Sequence, residues 1–281
     1  MNTIFFDNNS TTKIDPDVFD SMVPYFQNFY GNASSNHVLG RESKTALENS
    51  RNLIAQSINA YPEQIFFTSG GTESNNHIFK VLAHKKIPRI LISSVEHPSI
   101  TNSANNYALN TSSELIEIPV NKNGEIILDF LSLKLSKFCD LLCLMLVNNE
   151  TGVIQPISKK EYFNENIGWF HCDAVQAFGK VPIDFNNMPF DSISLSSHKI
   201  HGPKGIGALV VKDPSKLPGF ILGGMQENSM RAGTESIANI VGFASAAQKI
   251  DSMLEMQKNH VSKLRDYVEK RLVELGAIIL G

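Results

Sequence analysis

The chain has 281 residues, 42% of them hydrophobic and 19% charged, with 25 basic against 28 acidic side chains and a formal net charge of -3. That apolar content suits one large domain or two ordinary ones and excludes a disordered chain, while the lack of any basic block excludes a nucleic-acid surface. The longest purely apolar run, Leu141 to Val147, falls far short of a membrane span. The opening "MNTIFFDNNSTT" has no basic start and no long apolar stretch, so no secretory signal is expected. Cys139, Cys143 and Cys172 form neither a metal spacing nor a disulfide framework, and a reduced, cytoplasmic protein without a metal is expected.

In chain order, "IFFTS" (65–69) reads as a strand and "GTESNNHIFKVLAHKK" (71–86) as a helix. "RILIS" (89–93) is a strand, followed by a helix from His97 to about Leu109. "LLCLMLV" (141–147), "GWFHCD" (168–173), "DSISLSS" (191–197) and "GALVV" (207–211) are further strands. From Thr234 to about Leu275 the pattern is that of a long surface helix. The terminal "GAIILG" reads as an apolar strand without a partner. Strands separated by helices predict an α/β fold with a mostly parallel sheet covered on both faces.

In such sheets ligands sit beyond the C-terminal ends of the strands, and the polar clusters fall there. "TSGGTESNN" joins a strand to a helix start; its glycines and free N–H groups suit a phosphate, or simply an ordinary turn. "SSVEHPS" carries His97, and "LVNNETG" carries Asn148, Asn149 and Glu150 after an apolar strand. "FHCDAVQAFGK" ends a strand on Asp173, with Gln176 three residues on; Asp173 either meets a positive partner or caps a short helix. "SLSSHKIHGPKG" brings Ser196, Ser197, His198 and Lys199 to another strand end. A lysine amine, an acid, a histidine, amides and a phosphate cradle together form the inventory of a pyridoxal 5'-phosphate enzyme. No glycine fingerprint with a ribose-binding acid is present, which argues against a plain dinucleotide binder.

The stretches "DNNSTTKIDP", "FTSGGTESNN", "EHPS", "VNNETGVIQPI", "HCDAVQAFGKVPID", "SSHKIHGPKGIGAL" and "MRAGTE" resemble, in order and spacing, those of cysteine desulfurases in the class V aminotransferase family. The resemblance runs from about Asp7 to Gly242 and implies the large domain of a fold type I pyridoxal-phosphate enzyme, with a seven-stranded type of sheet. It implies that Lys199 bonds the cofactor's aldehyde and that Asp173 pairs with the pyridine nitrogen. His97 would stack on the ring and move protons. Asn149 and Gln176 would lie near the phenolic oxygen. Gly71, Thr72, Ser196, Ser197 and His198 would serve the phosphate side, and Thr234 would reach it from the second subunit of a homodimer. The implied reaction takes sulfur from L-cysteine, leaves L-alanine, and passes a persulfide to a sulfur-acceptor or scaffold protein for iron–sulfur clusters or thionucleosides.

Full members of that family are longer, and keep their nucleophilic cysteine and a substrate-binding arginine in a C-terminal small domain. The expectation is therefore a chain with that domain largely missing. Residues 1–15 would form a segment associated with it, 16–250 the cofactor-binding large domain, and 251–281 a connecting helix and the domain's start. Cys139, Cys143 and Cys172 match no catalytic position and read as buried structural thiols. Asn228 and Ser229 stand where the family tends to have Arg-Gly, and Ser10 where alanine is usual. Another class V enzyme (a selenocysteine lyase or an aminotransferase-like protein) and a non-catalytic truncated fragment are the alternatives.

Overall fold

Side chains alternate across a strand, so a sheet covered on both faces must send neighbouring residues into different cores. Ile90 and Ile92, Leu141 and Cys143, and Leu209 and Val211 enter one apolar cluster; Leu91, Leu142, Ala208 and Val210, between or beside them, enter the other. The computed structural model describes residues 4–85, 88–158, 163 and 165–279.

Among the described residues the sheet has seven strands: β1 (Ile65–Thr68), β2 (Arg89–Ser93), β3 (Glu114–Ile118), β4 (Leu141–Cys143), β5 (Phe170–Asp173), β6 (Ser192–Ser196) and β7 (Gly207–Val211). Their spatial order is β1-β7-β6-β5-β4-β2-β3. All neighbours are parallel except β7, which runs antiparallel to both β1 and β6. The mostly parallel α/β reading therefore holds. Helices α1 (Pro16–Gln27) and α2 (Val38–Ser57) lie with α6 (Ile237–Ala247) on one face. Helices α3 (Gly71–Ile78) and α4 (Pro98–Thr111) cover the other. Between β3 and β4 runs the short α5 (Leu128–Lys134). Asp15 caps α1 by accepting from the N–H groups of Asp17 and Val18, ahead of a first-turn proline.

Several elements differ from the sequence reading. The helix after β1 leaves α geometry at Ile78 and tightens into a 3₁₀ turn, Phe79–Leu82; Lys86 lies outside the described residues. The apolar run 141–147 is regular strand only to Cys143. Beyond it the Leu144 and Leu146 N–H groups still bond the His171 and Asp173 carbonyls, at 3.1 and 3.0 Å, so the run stays extended and guides the chain along β5. The single long C-terminal helix is three: α6, α7 (Ile250–Met256) and α8 (Ser262–Glu274), with a π-helical turn, Gln257–Val261, between the last two. Helix α8 buries none of its residues. Ala277–Ile279 form no strand, and Leu280 and Gly281 lie outside the described residues. Among the described residues no helix is long and apolar enough to cross a membrane.

Candidate active site

A cavity of about 420 Å³ opens beyond the C-terminal ends of β2, β4, β5 and β6. Its volume lies in the range of small-molecule sites. Of the residues singled out in sequence, His97, Asn149 and Gln176 line it, and so do Asp173, His198 and Lys199. Gly71, Thr72 and Ser196 form its other end. Ser197 and Thr234 stay outside this lining. A Cβ added to Gly202 would sit 2.0 Å from the Ser197 Oγ, so that hydroxyl points at Gly202; among the described residues it has no hydrogen-bond partner. Thr234 is exposed on the segment leading to α6.

The turn from β1 into α3 depends on glycine. Gly70 has φ +149° and ψ -176°, a backbone region that side chains forbid. A Cβ on Gly71 would lie 2.6 Å from Val175 Cγ2. The two glycines seat the start of α3 against the β5 turn and beside Ser196. The helix N-terminus there presents free N–H groups and a positive dipole end to the cavity, with hydroxyls from Thr72 and Ser196 alongside.

Asp173 ends β5 with its carboxylate in the cavity wall, only 5% exposed. Among the described residues it accepts from the Val175 N–H at 3.0 Å and from Asn75 Nδ2 at 2.7 Å, both neutral donors. Burial pushes its pKa up; those two hydrogen bonds, and then the charges of His97 and Lys199, pull the other way. His97 caps α4: its Nδ1 accepts from the Ser99 N–H at 3.1 Å, with Ser99 Oγ at 2.7 Å. The proton of the neutral ring therefore sits on Nε2.

Lys199 closes a short turn after β6. Its ammonium donates to the Asn9 carbonyl, and to the Ser10 carbonyl at 2.9 Å. Burial lowers its pKa, opposed by Asp173 and Asp7. Gln176 Nε2 donates to the same Asn9 carbonyl at 2.8 Å, while Lys180 donates to Gln176 Oε1. His198 meets Thr11 Oγ1 through Nδ1 at 3.0 Å. Its pKa falls to about 4, through burial first and then the nearby Lys199, Lys204 and Lys180.

Sequence reasoning gave no role to three groups that build the site. The N-terminal residues Asp7, Asn9 and Ser10 line it, although "DNNSTT" was visible as a motif. Asn75 and Ser99 stand behind Asp173 and His97. Asn148 shapes the turn that presents Asn149: its Oδ1 accepts from the Glu150 and Thr151 N–H groups at 2.9 and 2.8 Å. The three cysteines are buried, with Cys139 raised to about 12 and Cys143 and Cys172 raised well above the ordinary thiol value, in each case chiefly by burial. Cys172 sits in the α6-side core, opposite in pleat to Asp173, so none of the three is a thiolate facing the cavity.

Residues 4–281 match the family described as aminotransferase class-V. A cysteine desulfurase of Sinorhizobium fredii is 38% identical over 278 residues, which span 98% of this chain and 72% of that protein. The solved structure of a NifS-like protein superposes with a TM-score of 0.91 at 33% identity, covering all of this chain and 78% of the other. A structure described as SspA in complex with cysteine gives 0.83 at 34% identity, covering 88% and 72%. The cavity fits the cofactor of that family. A buried carboxylate with only neutral donors suits a protonated pyridine nitrogen, a lysine amine faces the same space, and a glycine-built helix start suits a phosphate. The chain belongs to the class V aminotransferase family, whose enzymes depend on pyridoxal phosphate.

Proposed function

We propose that the chain acts as a cysteine desulfurase, taking sulfur from L-cysteine and leaving L-alanine. The observation that carries this reading is the convergence of Lys199, Asp173 and His97 on one cavity, from the ends of β6, β5 and β2. When bound, pyridoxal phosphate supplies a carbonyl carbon that amines attack and a ring that accepts electrons. Lys199 Nζ would provide the amine that holds the cofactor covalently. Asp173 keeps the ring nitrogen protonated. His97, with its proton on Nε2, covers the ring and moves protons. Gly71, Thr72, Ser196 and His198 take the phosphate end, and Asn149 and Gln176 serve the edge near the phenolic oxygen. The SspA structure with cysteine supports L-cysteine as substrate.

The sulfur-accepting thiol lies outside Cys139, Cys143 and Cys172, whose burial keeps them protonated. From there sulfur passes to an acceptor or scaffold protein for iron–sulfur clusters or thionucleosides. The working form is a cytoplasmic homodimer in which Thr234 serves the partner's phosphate site; its exposure away from its own cavity supports that arrangement. Residues 16–250 act as the cofactor-binding domain, with 1–15 and 251–281 belonging with the small domain.

The test is covalent. Pyridoxal phosphate is added to the purified chain, the visible absorption band is recorded, and borohydride reduction is followed by peptide mapping. The expected result is cofactor mass on the peptide containing Lys199, and loss of both band and label in Lys199→Ala. Label on Lys180 or Lys204 in place of Lys199 would overturn the assignment.

A further inference from the structure

A line of polar side chains runs through the core behind the cavity, and the reading above uses only its two ends, Asp173 and His97. Trp169 Nε1 donates to Ser192 Oγ at 2.8 Å, and Ser192 Oγ lies 2.9 Å from His171 Nδ1. His171 Nε2 lies 3.0 Å from Asn75 Oδ1. Asn75 Nδ2 donates to Asp173 Oδ2 at 2.7 Å and to Ser99 Oγ at 2.8 Å, and Ser99 Oγ lies 2.7 Å from His97 Nδ1. Ser192 and His171 are fully buried, and Asn75 is 1% exposed. The line begins deep in the core and ends on the two groups that hold the ring.

We propose that Asn75 and His171 are positioning residues of this site: the chain from Trp169 fixes Asp173 as an ionised acceptor and His97 as the tautomer protonated on Nε2. The inference rests on the functional reading of Asp173 and His97 given above.

The direction of every bond follows from the two ends. A carboxylate only accepts, so Asn75 must turn its amide nitrogen to Asp173 and its oxygen to His171. His171 must then carry its proton on Nε2, where Ser194 Oγ at 3.2 Å is a second neighbour. Burial lowers the His171 pKa to about 3, so the ring holds one proton and Nδ1 is bare. Ser192 fills Nδ1 with its hydroxyl proton and accepts from the Trp169 indole, which only donates. The second N–H of Asn75 goes to Ser99, which leaves the Ser99 proton for His97 Nδ1. Each buried polar side chain in the line then has a partner, with the N–H and O–H of Ser99 sharing His97 Nδ1. Protonating Asp173 would weaken it as an acceptor for the N–H groups of Asn75 and Val175, which the rest of the line holds in place, so the line favours the carboxylate. The line thus opposes the burial that drives Asp173 toward its neutral form. His171 can do this because it shares a pleat face with Asp173, two residues on.

The test reads Asp173 directly. Its carboxyl carbon is followed by NMR through a pH titration of the full chain without cofactor, and cofactor affinity is measured by absorbance titration. The charged and titratable groups around it, Lys199, His97, Glu96 and the buried thiols of Cys143 and Cys172, remain in place. His171→Leu and Asn75→Leu are each expected to raise the Asp173 titration midpoint by at least one pH unit and to weaken cofactor binding about tenfold, one pKa unit being a factor of ten. His171→Gln places an amide N–H near the position of Nε2 and is expected to restore the midpoint; a purely structural role would give no such rescue. Should His171→Leu fail to fold, Asn75→Leu decides the question, because it removes the bond to Asp173 itself. An unchanged midpoint in a folded variant overturns the inference, even where borohydride still locks the cofactor to Lys199. Loss of that lock in the unaltered chain would overturn the functional reading and leave the titration result standing.

Discussion

At the back of the cavity, Asp173 and His97 are held by side chains that are themselves buried, in a line that reaches Trp169. At the front, Lys199 is held by the carbonyls of Asn9 and Ser10, on a segment whose Phe5 is 52% exposed and whose Phe6 is 93% exposed. Both walls orient a charged group, but by different means. The back is part of the core, so its geometry is as stable as the fold. The front is held mainly by hydrogen bonds and can open locally at little cost. That division leaves the acid fixed and the lysine free to move.

The largest expected effect is on the pH dependence of stability, and it tests the back. Glu96 is buried after β2; its Oε1 accepts from Ser93 Oγ at 2.5 Å and from the Met145 N–H at 2.7 Å, while Oε2 has no partner among the described residues. Burial raises its pKa from 4.5 to about 8. Between those values the unfolded chain has lost the proton that the folded chain keeps. The stability present below pH 4.5 is therefore lost as pH rises toward 8, with a limiting slope of about 1.4 kcal/mol per pH unit. Urea unfolding followed from about pH 6.5 to about 8, above the histidine limb, is expected to show this fall in the parent, and a slope more positive by up to about 1.4 kcal/mol per pH unit in Glu96→Gln. Equal slopes in both would place the charge elsewhere. The acid side does not separate the walls: His171 at the back and His198 at the front, with pKa values of about 3 and about 4, both lose stability as pH falls below 6.5.

A smaller effect is expected at the front. Thr12 is buried and ties the N-terminal segment down: its Oγ1 donates to the His198 carbonyl at 2.9 Å and accepts from the His201 N–H at 2.8 Å. Thr12→Val keeps the shape and removes both bonds, at a cost of about 1–2 kcal/mol. The loss should appear as faster amide exchange at Thr12 and Asp15, whose N–H groups bond the His198 and His201 carbonyls, while amides of β4 and β5 stay protected. Equal loosening of β4 and β5 would show that the front is part of the same cooperative unit as the back.

The same division explains what the sequence made legible. Strand ends and their polar motifs are local signals, so Lys199, Asp173, His97 and the glycine turn could be named before any geometry. The succession of apolar strand-like runs with helical stretches between them made the mostly parallel sheet readable as well. The line behind the site could not be read, because Asn75 and His171 are 96 residues apart in sequence and each looks ordinary alone. The N-terminal segment meets Lys199 across 190 residues, and no periodicity records such a meeting. The run from 234 to 275 kept its helical pattern through a break at Gln248–Lys249; there Lys249 pairs with Asp15 and Asp17, at 2.6 and 2.8 Å, a bond from the far end of the chain.

The smallest expected effect lies outside both walls and calibrates the scale. Glu227, Asn228 and Ser229 all have positive φ, at 47°, 54° and 66°. Glu227 is anchored in that conformation by Arg51, whose Nη1 and Nη2 each donate to its carboxylate at 2.8 Å, and by the Phe67 N–H at 2.8 Å. Asparagine tolerates the left-handed region, whereas serine at 66° strains its Cβ against the backbone. Ser229→Gly removes that strain but gives the unfolded chain more freedom, so the two terms oppose each other. The steric cost of about 1–2 kcal/mol exceeds the entropic one of under about 1 kcal/mol, which leaves a net gain of about 0.5–1 kcal/mol. Urea unfolding of this variant should shift upward by that amount, with the slope against pH unchanged. A destabilised variant would mean that the serine hydroxyl contributes more to the turn than its backbone strain costs.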